Sequence, residues 1–165
     1  MAQWHDLQAP DLTAWFAELR RTLDGLPDDG FDVIAHSLSC LLWLHHATSG
    51  PSNTDQPSGT PRPARVALVA PPAPSPPAEL TAAWASFYPV PLDIDAIRSA
   101  ADGTVLVGGE DDPYCPGGVA RAYGAPLKMA ATVIPDAGAL TAETGYGPWP
   151  AVLDWCGRDN LAFIA

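Results

Sequence analysis

Ser37 stands between two apolar segments of different length, and that arrangement could make its hydroxyl a nucleophile. The run 31–35 before it holds β-branched and aromatic residues and is too short for a helix, whereas the run 38–46 after it has helical length. A strand, a sharp turn and a helix would lift the hydroxyl out of a sheet edge and direct the N–H groups of the helix toward it. Ala35 and Ser39 flank the turn and are small enough to permit it. The alternative is that Ser37 only caps the helix, because serine is a preferred N-cap residue.

Two later loops could complete such a centre. The acidic cluster Glu110-Asp111-Asp112 follows an apolar run at 103–108, and the turn 135–139 follows another at 128–134. A nucleophile, then an acid, then a histidine is the chain order of a hydrolase triad. No histidine occurs after His46, so the last loop offers no base.

The four histidines all precede these loops. His36 adjoins Ser37 but faces the other way along the predicted strand, so we expect it to pack or to hold the turn. His45 and His46 lie two turns into the predicted helix, beyond the reach of Ser37. His5 is near the N-terminus and is an improbable partner.

The elements that would position these residues alternate between helices and apolar strands. Helices are predicted at 12–23, 38–47, 120–123 and from about 148, and strands at 4–7, 31–35, 65–70, 103–108 and 128–134. Continuous apolar strands are typical of a mostly parallel sheet with helices on both faces, which is an α/β fold. Active sites of such sheets lie outside the carboxyl ends of the strands, where Ser37, the acidic cluster and the turn 135–139 all fall.

The chain has the size and composition of one domain. Its 165 residues, 47% of them hydrophobic, can form a substantial core, so we predict a single domain over 1–165. The segment 49–63 contains Pro, Ser and Gly but no aliphatic residue, which predicts a flexible surface loop within that domain.

Charge and hydropathy exclude two classes of partner. Eight Lys and Arg against 19 Asp and Glu give a formal net charge of −11, which repels a nucleic-acid backbone. No apolar run approaches the roughly 18 residues of a membrane span, and the first residues lack the pattern of a signal peptide. We therefore expect no nucleic acid or membrane partner and a cytoplasmic location.

No cofactor motif is found in the sequence. Cys40, Cys115 and Cys156 are widely separated and have no Cys-x-x-Cys spacing, so we predict buried thiols and neither a disulfide framework nor a zinc site. The chain has neither a dinucleotide-binding glycine motif nor a Walker loop. We expect no metal and no other cofactor.

Six short motifs in order resemble those of the YdeN-like serine hydrolases related to retinoblastoma-binding protein, within the α/β-hydrolase superfamily. They are Asp11-Leu12 with Trp15, His36-Ser37-Leu38, Val69-Ala70-Pro71, Ser86 to Pro91, Asp111 to Cys115, and Gly145 to Pro150. Together they cover nearly the whole chain. The resemblance implies a small α/β-hydrolase fold and cleavage of an acyl ester, thioester or amide in a small acyl-containing molecule.

The resemblance also implies roles for individual residues. Ser37 corresponds to the nucleophile, and Asp112 to the acid that orients a histidine, with Asp111 as the fallback. The N–H of Leu38 would be one donor of the oxyanion hole. As an alternative, Asp112 is only a turn residue before Pro113, a position where aspartate is common.

Four aromatic side chains are expected to line a substrate pocket: Trp84, Phe87, Tyr114 and Trp149. Such a pocket would receive a small apolar group of the substrate or of a protein partner. The alternative is that these aromatics form a lid and part of the core.

Two departures from the family pattern predict impaired catalysis. Ala139 stands where the resemblance places the histidine, and the family's first strand and its Gly-rich oxyanion loop have no counterpart, so the fold is expected to be truncated at the N-terminus. Loss of that strand would leave a sheet edge open to a second copy of the chain, giving a homodimer. The sequence therefore predicts a serine hydrolase of weak activity, with a non-catalytic binding module or a marginally folded remnant as alternatives.

Overall fold

A four-stranded parallel sheet forms the centre of the molecule. The computed structural model describes residues 9–26, 30–49, 62–75 and 81–157. The strands lie side by side in chain order, and all three neighbouring pairs are parallel. They are β1 (Asp32–His36), β2 (Arg65–Val69), β3 (Gly103–Gly109) and β4 (Ala131–Ile134). The predicted strand at 4–7 lies outside the described residues.

Six α-helical segments of the described chain accompany the sheet. They are α1 (Leu12–Asp24), α2 (Leu38–Ser49), α3 (Thr81–Trp84), α4 (Ile94–Ser99), α5 (Ala125–Leu127) and α6 (Pro150–Cys156). A π-helical turn at Ala120–Gly124 leads directly into α5. None of the described helices is both long and apolar enough to cross a membrane.

The core lies on both faces of the sheet because side chains alternate along each strand. Val66 and Leu68 of β2 belong to the larger cluster, which includes the buried side chains of α1, α2 and α4. Ala67 and Val69 belong to a second cluster on the opposite face, which includes Trp155 of α6. Helices thus cover both faces, and the predicted α/β fold is confirmed.

The N-terminal helix α1 forms where the sequence predicts it. The Asp11 side chain accepts a hydrogen bond from the Ala14 N–H at 2.8 Å, which satisfies one of the unpaired donors of the first turn. Trp15 is buried and packs edge-on against Phe87, with 5.5 Å between ring centroids. This aromatic contact attaches α1 to the turn that follows α3.

Several predicted boundaries are wrong. Strand β4 begins at Ala131 and not at residue 128, because Lys128 takes a left-handed φ of 51° that ends α5. Helix α6 begins two residues later than predicted, with Pro150 in its first turn. Ser49 ends α2, and most of the predicted loop 49–63 lies outside the described residues.

The cysteines agree with the prediction at two positions out of three. Cys40 and Cys115 are buried thiols, whereas Cys156 is exposed at the end of α6. Burial raises the pKa of Cys115 to about 11, so this thiol is protonated at neutral pH.

Candidate active site

Ser37 occupies a strained turn between β1 and α2. Its φ is 55°, a left-handed conformation that is uncommon for residues other than glycine and that occurs often at functional sites. The Ser37 N–H donates to the Val69 carbonyl at 2.9 Å, and the Ser37 carbonyl accepts from the Cys40 N–H at 2.9 Å. The turn therefore joins the edge of the sheet to the first turn of α2, as the predicted strand, turn and helix require. The Leu38 N–H lies at the start of that helix.

The loops after the other strands meet at the same edge of the sheet. Ladder bonds continue past the strand ends, from the Ala70 N–H to the Val107 carbonyl at 2.8 Å and from the Glu110 N–H to the Ile134 carbonyl at 3.0 Å. Because all strands are parallel, the turn at Ser37 and the loops after β3 and β4 lie at one end of the molecule.

The loops after β3 and β4 are joined directly. The Asp111 carboxylate accepts a hydrogen bond from the Gly138 N–H at 2.7 Å. The backbones also approach closely, since a Cβ atom on Gly109 would lie 2.0 Å from the Gly138 carbonyl oxygen. Glycine is therefore required at position 109. Asp111, the fallback for the catalytic acid, thus joins its own loop to the loop that carries Ala139.

Asp112 is the buried carboxyl group of this edge. Its side chain is 3% exposed, and one carboxylate oxygen, Oδ1, accepts from the Tyr114 N–H at 2.9 Å. The other oxygen, Oδ2, is buried and has no hydrogen-bond partner among the described residues. Burial raises the pKa of Asp112, and the neighbouring Asp111 charge adds to this rise, while the N–H groups of Tyr114 and Cys115 and the nearby His36 partly offset it. Asp112 is thus positioned to receive one further donor.

His36 connects the turn at Ser37 to the loop that contains Ala139. Its Nε2 atom lies 2.9 Å from the Ala139 carbonyl oxygen, and a carbonyl can only accept, so Nε2 carries the hydrogen. His36 also lies close enough to Asp112 to affect the pKa of that carboxyl. The sequence predicts that His36 packs or holds the turn, but it gives no sign of this partner, which lies 103 residues away.

His45 and His46 make packing contacts from α2. His45 Nε2 lies 2.9 Å from the Phe87 carbonyl oxygen, and the centroid of the His46 ring lies 5.9 Å from that of Phe16 and 5.1 Å from that of Trp43. Burial lowers the pKa of His46, which favours its neutral form. His5 lies outside the described residues.

The four predicted pocket aromatics lie in three different surroundings. Trp84 and Tyr114 are paired, with 5.7 Å between their ring centroids, beside the loop that carries Asp112. Trp149 pairs instead with Tyr146 at 5.2 Å. Phe87 has no exposed surface and packs against the core, so its assignment to a pocket is corrected.

A groove that the sequence analysis missed lies beside His36. It has a volume of about 630 Å³ and runs over the side chains of β1 that face away from α2. Its lining is mostly apolar, and we call it the apolar groove. The residues that line it are Ile34, His36, Val69, Leu140, Thr141, Ala142, Tyr146, Gly147, Pro148, Trp149, Val152 and Leu153. Ile34 and Leu153 are 43% and 75% exposed, unusual values for large aliphatic side chains.

The donor set for a metal ion is absent from the part of the chain that the structure describes, where no three His, Cys, Asp or Glu side chains form a group able to hold one. The described site consists of a hydroxyl, carboxylates, backbone N–H groups and the His36 ring. Such groups suit proton transfer and acyl transfer.

The fold is similar to two solved structures. One is a YdeN-like hydrolase from Pectobacterium atrosepticum SCRI1043, with a TM-score of 0.64 and 22% identity over 93% of this chain and 71% of that one. The other is the ydeN gene product of B. subtilis, with a TM-score of 0.70 and 20% identity over 88% of this chain and 73% of that one. At these identities the likeness shows a shared fold of the small α/β-hydrolase type.

A search of the curated proteins gives no match. The family model described as serine hydrolase, in contrast, matches residues 1–157, nearly the full length of the chain. The strained serine turn, the parallel sheet and this match lead to one conclusion: the chain belongs to the serine hydrolase family.

Proposed function

We propose that this protein keeps the acyl-transfer centre of a serine hydrolase but lacks its base, so that its turnover of acyl esters, thioesters or amides is weak. Ser37 is the nucleophile, Asp112 the acid, and Ala139 occupies the position of the base. The observation that carries the proposal is the buried Oδ2 of Asp112, which has no partner in the described part of the chain and lies at the same sheet edge as the strained Ser37. That oxygen is suited to orient a group that residue 139 does not supply.

The chemistry of serine explains the size of the expected defect. In a complete centre the base takes the hydroxyl proton while Oγ attacks the acyl carbon, and the Leu38 N–H helps to stabilise the resulting oxyanion. Loss of the triad histidine costs on the order of 10⁶ in turnover. Loss of the histidine alone would therefore reduce hydrolysis to a low level.

Restoring the base tests this proposal. Ala139→His should allow a fluorophosphonate probe to label Ser37 and should raise the hydrolysis of a short p-nitrophenyl ester by at least 10²-fold, the lower limit for a general base. Ala139→Gln, of similar size but without a basic nitrogen, is the matched control and should restore neither. Rapid labelling and turnover by the unmodified protein would contradict the proposal.

A second candidate function is recognition of an apolar ligand without turnover, and the apolar groove favours it. We expect a short-chain fatty acid to quench or enhance the tryptophan fluorescence through Trp149, one of the groove residues. Leu153→Ser should weaken that binding, whereas Val133→Ser, at an equally apolar but separate exposed position, should not. Absence of any saturable fluorescence change would exclude this function for such ligands.

A further inference from the structure

We propose that the edge between Asp112 and Ala139 binds an imidazole group from outside the chain and that this ligand acts as the base for Ser37. The ligand would be either a free imidazole compound or a histidine side chain of the substrate itself. This inference rests on the proposed function of Ser37 and Asp112, and it adds a ligand class that the protein would need for turnover.

The first observation is the chemistry of Asp112. Its Oδ2 atom is buried and has no donor among the described residues, although buried polar atoms are nearly always hydrogen-bonded. A ligand at this oxygen must donate an N–H to it and must also present a basic nitrogen to Ser37. Imidazole has both on opposite sides of one ring and is largely neutral near pH 7. An alkyl ammonium group could donate but, being protonated, could not accept a proton.

The second observation is that the loop carrying Ala139 is fixed from two sides. The Asp111 carboxylate holds the Gly138 N–H at 2.7 Å, and His36 Nε2 holds the Ala139 carbonyl at 2.9 Å. Gly109 packs against the Gly138 backbone, which leaves the loop no room to approach β3 further. Residue 139 is therefore held at this edge of the sheet with a methyl group as its side chain.

The proposed reaction balances without any further cofactor. The basic nitrogen of the bound imidazole takes the proton of Ser37 Oγ as Oγ forms a bond to the acyl carbon and the carbonyl electrons move to oxygen. The carbonyl re-forms as the bond to the leaving group breaks, and the imidazolium gives its proton to that group. Water then attacks the acyl-enzyme by the same route and releases the acid, the serine and the imidazole.

Imidazole rescue of the unmodified protein tests the inference. Hydrolysis of a short p-nitrophenyl ester is measured against imidazole concentration, and the rate with Ser37→Ala is subtracted, since imidazole also cleaves such esters in solution. We expect a saturable increase on the order of 10²-fold, near the lower limit for a general base because the ring is not tethered. The increase should grow with pH through the pKa of imidazole. A purely linear dependence, equal to that of Ser37→Ala, would overturn the inference.

Two matched comparisons identify the binding groups. 1-Methylimidazole keeps a basic nitrogen but has no N–H for Asp112, so it should give little rescue. Asp112→Asn should abolish the rescue by imidazole, whereas Glu110→Gln, the loss of an exposed charge two residues away, should retain it. Equal rescue with both ligands, or full rescue in Asp112→Asn, would overturn the assignment of the site.

Two further comparisons are needed. One distinguishes the possible sources of the imidazole ring, and the other distinguishes failure of this inference from failure of the proposed function. Two peptide methyl esters, one with His and one with Ala beside the ester bond, are compared in the absence of free imidazole. Faster cleavage of the His ester would show that a substrate can supply its own base. If neither imidazole nor the His ester raises the rate while Ala139→His restores labelling, the ligand proposal fails and the proposed function stands. If Ala139→His also restores nothing, both fail.

Discussion

At the scale of single residues, Asp112 shows a conflict between stability and chemistry. A carboxyl group that is 3% exposed and has one unpartnered oxygen destabilises the folded state when it is ionised. Burial raises its pKa, so the folded protein holds the proton more tightly than the unfolded chain does. The contribution of this group to stability is full below the unfolded pKa of about 3.9 and is lost as the pH rises through the raised folded value.

Asp112→Asn should therefore stabilise the protein at neutral pH. The substitution removes a buried charge and keeps the acceptor for the Tyr114 N–H, so we expect a gain of about 1 kcal/mol, or about 2–4 °C in Tm for a chain of this size. The gain should shrink as the pH falls below the raised pKa. Thermal melts of both proteins from acidic to neutral pH measure it.

Asp111→Asn is the control for that prediction. Its amide oxygen can still accept from the Gly138 N–H, and Asp111 is exposed, so its Tm should not rise at neutral pH. An equal gain in both variants would show that general charge reduction, and not the burial of Asp112, is responsible.

The sequence located the candidate nucleophile and acid but not their neighbours. Ser37 is marked by a local pattern, because a strand, a turn and a helix follow one another within a few residues. The contacts of His36 with Ala139 and of Asp111 with Gly138 join residues 103 and 27 positions apart, and no local pattern encodes them. Phe87 was misassigned because an aromatic side chain suits a pocket wall and a core equally well.

At the scale of elements, the close approach of two loops determines where residue 139 lies. The last residue of β3, Gly109, is in contact with the backbone of Gly138, and Asp111 adds the hydrogen bond between the same loops. The loops that carry Asp112 and Ala139 are thus held together by one junction at the ends of β3 and β4. His36, next to Ser37 at the end of β1, joins the same junction through its hydrogen bond to the Ala139 carbonyl.

Gly109→Ala should disrupt that junction. Its Cβ would lie 2.0 Å from the Gly138 carbonyl oxygen, a backbone atom that cannot rotate away, so we expect a loss of about 2–3 kcal/mol, the upper range for overpacking. Chemical denaturation measures the loss. In the Ala139→His background the same change should also reduce probe labelling of Ser37.

Gly25→Ala is the matched control. Its Cβ would meet only ordinary contacts, at 3.6 Å or more, at the end of α1. Its stability should change by less than about 1 kcal/mol. A similar loss in both variants would contradict the role assigned to the junction.

Elements were predicted from the sequence better than their ends were. The apolar runs identified all four strands of the sheet, since a strand buried on both faces needs continuous apolar residues. The start of β4 was missed because Lys128 adopts a left-handed conformation that nothing in its type indicates. The start of α6 was placed at Pro148, whereas Pro150 is the proline in the first turn, and a sequence with two suitable prolines does not distinguish them.

At the scale of the whole molecule, β1 is an edge strand of the described sheet. The Ser37 N–H and the Phe31 carbonyl both point to the β2 side, so the backbone groups of Asp32, Ile34 and His36 point away from it. The apolar groove lies beside the same strand. We propose that this edge pairs with a second copy of the chain, and that the net charge of −11 opposes the pairing at low salt.

Salt should therefore promote dimerisation, and Ile34→Lys should prevent it. Screening at about 0.5 M salt weakens the repulsion between copies, while a lysine on an edge strand blocks pairing and adds no clash at a position already 43% exposed. Sedimentation velocity at two salt concentrations measures both effects. Val133→Lys, on the opposite edge strand, is the control and should still dimerise. A monomer at all salt concentrations would refute the proposed pairing.

The place of the serine in the sheet also has a kinetic consequence. Among the described strands, β1 has a hydrogen-bonded neighbour on one side, whereas β2 and β3, in the middle of the sheet, have neighbours on both sides. Local fluctuations open edge strands before the interior of the sheet unfolds, and amide hydrogen exchange detects this opening. In the Ala139→His variant, warming should therefore abolish labelling of Ser37 by the fluorophosphonate probe at temperatures at which the helical circular dichroism signal is still unchanged.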